Sequence, residues 1–220
     1  GTGVITITLA AGAITDNNAG ANNLTASTAV LTAPAGINLD TTLGTLTATV
    51  TNGDLTIREA NALVLNGVTV SGTATIALQA AGSLTGAGLT PNLTASTAVL
   101  STTGASDITL STTLGTLTAT TAGTLTITET DSLILNNVNA TTAAVITLNA
   151  GSLTGAAGTD LTTATATLTA PSGIDLDTTV GTLLATVTNG NLTIREANGL
   201  ILGTVTVSGT ATITLGAAGD

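Results

Sequence analysis

Three stretches of this chain are near copies of one another. Asp54–Leu78 reads DLTIREANALVLNGVTVSGTATIAL, Asn191–Leu215 reads NLTIREANGLILGTVTVSGTATITL, and a looser copy, TLTITETDSLILNNVNATTAAVITL, spans Thr124–Leu148. Two anchors give the period. LTIREA, LTITET and LTIREA begin at Leu55, Leu125 and Leu192, and TLGTLTAT, its second copy and TVGTLLAT begin at Thr42, Thr113 and Thr179. The chain is an array of three units of 68–71 residues, approximately 4–73, 74–143 and 144–212, with 213–220 starting the next. Such repeats have to be found before secondary structure is assigned, because missing them misassigns the whole fold.

Within each unit the apolar residues alternate with polar ones. GTLTATVTNG (Gly44–Gly53), DLTIREA and GVTVSGTATIAL have the two-residue period of a half-buried strand, and their β-branched content agrees. Gly, Asn, Asp and Pro interrupt the runs at Asn52-Gly53, Asn66-Gly67, Ala33-Pro34-Ala35-Gly36 and Asn189-Gly190, where they supply turns. No segment carries ten residues of helical spacing. The sequence therefore predicts an all-β protein of short strands.

Two architectures compete for such a unit. Tandem β-sandwiches would each need a core of their own, although a unit this small buries only about 60 % of the surface its unfolded chain exposes. Such domains lean on aromatic anchors or a disulfide, and this chain has no Phe, Tyr, Trp or Cys. In a parallel β-helix, stacked coils lend one another their core, and columns of Ala, Val, Ile, Leu and Thr suffice. The expectation is one continuous right-handed parallel β-helix, or β-solenoid, over residues 1–220. Its units divide into three coils of about 23 residues or four of about 17, and neither division is clean. At ~4.8 Å between stacked strands, 10 to 13 coils give a rod roughly 45–60 Å long. The opening GVITITLAAG (Gly3–Gly12) matches the closing GTATITLGAAG (Gly209–Gly219) in phase. Both ends are therefore expected to look internal, either within a longer polypeptide or in a subunit that stacks head to tail.

The formal net charge is −10, from nine Asp and three Glu against two Arg, and there is no Lys or His. Phosphate recognition needs clustered Lys and Arg, so nucleic acid and anionic membrane surfaces are poor partners. No apolar run approaches the ~18–20 residues that cross a bilayer. Neither an initiator Met nor a leader pattern opens the sequence, as expected of a mature or excised piece.

The segment LTIREANALVLNGVTVSGTATIALQAAGSLTG resembles the repeats of filamentous-haemagglutinin-like giant adhesins and related bacterial exoproteins. There an LT-x-x-E-A/T-D/N-x-L-x-L-x-x-V stretch runs into a T-x-x-L strand and an A-G turn. The resemblance covers Leu55–Gly86, Leu125–Gly155 and Leu192–Gly219. It implies a right-handed parallel β-helix, export to the cell surface or beyond, and service as an elongated shaft, without an active site.

Candidate chemistry is sparse. With no His, Cys, Lys or Tyr, acids, bases and nucleophiles reduce to carboxylates and hydroxyls, so no catalytic residue and no cofactor is expected. Arg58-Glu59 and Arg195-Glu196 are adjacent pairs whose side chains point to opposite sides of a strand. One of each pair is expected to face outward and the other to lie near a turn or a neighbouring coil, with service in surface ion pairs as their expected meaning. The middle copy keeps Glu129 but has Thr128 in place of the arginine. Asp175 and Asp177 share a strand face, as do Asn38 and Asp40, and make a weak calcium candidate, because calcium takes six to eight oxygen ligands. The middle unit has its acid at Asp107 and Ser111 at the second place. Turn and cap duty is the expected role of these residues. The sequons at Asn23, Asn92, Asn139 and Asn191 are read as a product of composition.

Threonine accounts for 55 of the 220 residues and recurs as Thr-x-Thr at Thr6/Thr8, Thr45/Thr47/Thr49, Thr116/Thr118/Thr120, Thr124/Thr126/Thr128, Thr163/Thr165/Thr167/Thr169 and Thr210/Thr212/Thr214. Aligned ranks would resemble an ice- or surface-binding solenoid. The sites are scattered through the unit rather than placed once per coil, so β-propensity is the expected cause.

Overall fold

The computed structural model describes residues 3–18, 20–88 and 90–218. Eighteen strands lie between Val4 and Ala217, with no helix among the described residues. Each strand pairs in parallel with a strand of the next coil, and the coils stack as a β-solenoid. Tandem sandwiches, whose sheets would be antiparallel, are thereby excluded. Gly219 of the closing segment, like Gly1, Thr2 and Asp220 at the chain ends, lies outside the described residues.

Two ladders of inward-pointing residues run the length of the molecule. On the first face Ile5 lies beside Ala29, then Leu46, then Leu65. From Leu63 in that same coil the ladder continues through Leu84, Ile108, Leu125, Ala144, Ala166 and Leu183 to Leu202. On the second face Ile14 leads through Ile37, Leu55, Ile76, Ala98 and Leu117 to Leu135. From Leu133 it continues through Leu153, Ile174 and Leu192 to Ile213. Each ladder has eleven rungs, one per coil, in agreement with a solenoid of about 11 turns. At ~4.8 Å per coil the stack is about 50 Å long.

Coil length is not constant. The coil that leaves Ile108 closes at Leu125, whereas the one that leaves Val68 closes only at Leu93, after a much longer path. Short coils turn at glycine: Gly44, Gly115 and Gly181 sit where a strand passes from one face to the other. A Cβ at these positions would lie 2.7, 2.9 and 2.8 Å from the carbonyl oxygens of Ser27, Ser96 and Ala164 in the preceding coil. Only glycine lets two backbones approach so closely. Longer coils absorb extra residues in turns, as between Val70 and Thr75.

These lengths settle how a unit divides. Ile37 stands on the second face, its counterpart Ile108 on the first, and Ile174 on the second again. One sequence unit is therefore three and a half coils, neither three nor four. Successive units present opposite faces. The structural period runs from Ile37 to Ile174, two sequence units, and comprises seven coils.

The interior is a single column of small and branched side chains, with Leu46, Leu65, Ile76, Leu125, Leu183 and Ile194 fully buried. Alternation along the strands sets the register, since a slip of one residue would carry a leucine column into water. In the last coil Ile201, Leu202, Ile213 and Leu215 are exposed, as is Val4 in the first.

Candidate functional site

Three side-chain assemblies recur along the chain, two of them in every sequence unit and the arginine assembly in the first and third. The first centres on the glutamates. Glu59, Glu129 and Glu196 point inward and are buried. Each reaches back to the coil before it. Thr41 Oγ1 donates to Glu59 Oε2 at 2.7 Å, Thr112 Oγ1 to Glu129 Oε2 at 2.7 Å, and Thr178 Oγ1 to Glu196 Oε2 at 2.8 Å. The backbone N–H groups of Leu43, Leu114 and Val180 donate to the same carboxylates at 3.0, 3.1 and 3.0 Å. These three residues immediately precede the corner glycines. The carboxylate thus fastens each tight corner to the coil that follows it. Burial raises the pKa of Glu129, and the bonds from Thr112, Thr130 and Leu114 oppose that rise.

The arginines pair differently from the expectation. Neither Glu59 nor Glu196 is an ion-pair partner, because neighbours on a strand project to opposite sides and the glutamates face the core. Arg58 Nε instead donates to Asp40 Oδ1 one coil earlier, and its Nη2 lies 3.8 Å from Asp16 two coils earlier. Arg195 Nε donates to Asp177 Oδ1, and its Nη1 to Asp175 Oδ1 at 2.6 Å. The bonds that Arg195 donates to Asp175 and Asp177 raise its pKa. The pKa of Asp16 is lowered, chiefly by the Asn23 amide at 2.9 Å. Asp175 and Asp177 do share one face, but the cation they hold is a guanidinium. Among the described residues no group of three or more acidic, His or Cys side chains is placed to hold a metal ion.

A third assembly was not foreseen. Asn23, Asn92 and Asp160 occupy equivalent places ahead of Leu-Thr, and each brackets a residue of the next coil. Their N–H groups donate to the carbonyls of Asp40, Ser111 and Asp177 at 2.6, 2.7 and 2.7 Å. Their side-chain oxygens accept the N–H of the same residues at 2.7, 2.9 and 2.7 Å. Two of the sequons are thereby explained: Asn23 and Asn92 are coil fasteners, and Asn92 is 5 % exposed. In the third unit a carboxyl stands where the others have an amide. Asp160 is buried, its Oδ1 has no hydrogen-bond partner, and burial together with the nearby Asp177 raises its pKa. The signal was legible as NLT, NLT and DLT at one phase of the repeat.

The surface is shallow. One depression, about 540 Å³ and open to solvent, is lined by Thr69–Gly72, Thr94–Ser96, Thr113–Gly115, Asp131 and Ser132. Its lining supplies one carboxylate and several hydroxyls and no cationic side chain, and the nearby Glu129 carboxylate is turned inward onto the Leu114 N–H. The chain matches no protein-family model, no curated protein and no solved structure.

Proposed function

We propose that this chain is a structural rod: a stretch of β-solenoid shaft in an extracellular or cell-surface fibre of the adhesin kind, without catalytic function. The observation that carries the reading is the pair of hydrogen-bonded ladders, unbroken over eleven coils. A load along the axis is shared among parallel backbone bonds at every coil boundary. The buried glutamate and asparagine fasteners repeat wherever a coil turns sharply, so the polar interior serves coil-to-coil adhesion. The resemblance of Leu55–Gly86 and its two copies to exported adhesin repeats supports the placement outside the cell. The chain's partner, on this reading, is more of the same solenoid, either in continuation or as a stacked copy.

Electron microscopy of the purified protein tests the rod, with thin particles about 50 Å long as the expected result; compact globules or jointed beads would refute it. Fractionation of the native source tests the location: recovery in the cytoplasm alone contradicts an extracellular shaft.

A further inference from the structure

The half-turn between successive units sorts the outward side chains by face. On the first face one outward column runs through six coils as Thr8, Thr32, Thr49, Thr69, Thr94 and Thr113. Beside it, in the second half of the molecule, runs Ser111, Thr128, Thr147, Thr169, Thr186 and Thr206. A third column, from Thr28 and Thr45 through Val64, Thr85, Thr109 and Thr126 to Val145, Thr167 and Leu184, flanks them. Part of the Thr-x-Thr sites scattered in the sequence unit thus falls into line on this face, because the unit is not a whole number of coils, while Thr116/Thr118/Thr120 and Thr214 lie on the second face. None of these column positions carries a charge.

A second observation shows that this face departs from the repeat. The second face bears Asn38, Asp40 and Arg58 in the first unit and Asp175, Asp177 and Arg195 in the third. Their counterparts in the middle unit, which the half-turn brings to the first face, are Thr109, Ser111 and Thr128. Ion-paired places become hydroxyls only where the unit turns to this side. β-propensity alone does not explain a substitution that follows the face rather than the repeat.

The geometry points to the first face as a binding surface for ordered water, that is, for the surface of ice. Such a ligand has no charge to pair with and presents a periodic array of donors and acceptors. Threonine offers a hydroxyl that donates and accepts, and a methyl that sheds its hydration easily. The backbone sets the spacing at ~4.8 Å between coils and about 6.7 Å between alternate residues of a strand. Val64, Val145 and Leu184 keep the apolar half of the pattern. This goes beyond the shaft reading and does not depend on it.

The test measures thermal hysteresis and crystal shape with the purified chain. Thr147→Lys and Thr169→Lys go on the first face, Thr116→Lys and Thr118→Lys on the second. Circular dichroism and melting establish that each variant is folded, and Thr147→Val, which keeps the β-branched shape, covers the case in which lysine destabilises a coil. Hysteresis with faceted crystals for the parent chain, mostly lost in the first-face variants and retained in the second-face ones, is the expected result. A folded parent chain without hysteresis or crystal faceting overturns the proposal, as does equal loss from both faces. A dimer that the first-face lysines dissociate would assign the face to a second copy of the chain and likewise overturn it. None of these outcomes bears on the rod length, so failure here and failure of the shaft reading are distinguishable.

Discussion

Glu129 accepts a hydrogen bond from Thr112, one coil earlier in the stack, with 2.7 Å between Oε2 and Oγ1. Both residues are completely buried. Glu129→Ala leaves Thr112 Oγ1 and the Leu114 N–H without their acceptor, at a cost of roughly 1–3 kcal/mol for each buried group. A chemical-denaturation midpoint unchanged from the parent would show that the fastener contributes nothing.

The same carboxyl predicts a pH dependence. Its folded pKa is raised above the ordinary value of 4.5, so its contribution to stability is full below that value and declines as pH rises through the folded pKa. Glu129→Gln removes this titration. The parent is therefore expected to lose stability relative to the variant as pH rises across that interval, and parallel curves from pH 4 to 7 would contradict the assignment (about three pH units, spanning the usual carboxylate range and above).

Asp160→Asn restores the amide that Asn23 and Asn92 supply at equivalent places. It removes a buried carboxyl whose Oδ1 has no partner and whose pKa is raised from 3.8. The expected result is stabilisation on the order of 1–2 kcal/mol at neutral pH, shrinking toward acid as the aspartic acid takes up its proton. Loss of stability in the variant at neutral pH would sink this account.

Gly44→Ala introduces a Cβ 2.7 Å from the Ser27 carbonyl oxygen. Because the obstacle is backbone, relief requires the two coils to separate, and overpacking of this kind costs about 1–3 kcal/mol. Gly72→Ala is a control with open space around it but a φ of +80°, so any loss there comes from backbone strain alone. Thermal melts of both variants separate crowding from strain.

Arg195 and Asp177 form an ion pair at the surface, with side chains 52 % and 40 % exposed. A double-mutant cycle to alanine is expected to give a coupling of about 0.2–1 kcal/mol that falls with added salt. Coupling well above this range, and independent of salt, would mean that the pair is structurally buried.

Much of the architecture was legible beforehand. Alternation in Leu55–Glu59 and Leu192–Glu196 placed Ile57 and Ile194 inside, and the absence of aromatic anchors pointed away from sandwiches. The sequence marks the arginines and their neighbouring glutamates alike as surface ion-pair residues on opposite sides of the strand, and names no acid in another coil for either arginine. The true partners lie one coil back, at Asp40 and Asp177. No local pattern marks that separation, because it is the length of one particular coil.

What the sequence by itself determined is the local chemistry: strands from a two-residue period, stacking from a repeated unit too small for its own core, and corners from glycine. These follow from interactions within a few residues. What only the tertiary structure decided is phase. The length of each coil depends on how tightly its corner closes against its neighbour, as Gly44 does against Ser27 and as Glu59 does upon Leu43. Added over a unit, the coils come to three and a half turns. That half turn sends Arg58 and Arg195 to one side of the rod and Thr128 to the other. Such a remainder is a property of the closed coil, set by backbone contacts between residues far apart in the chain.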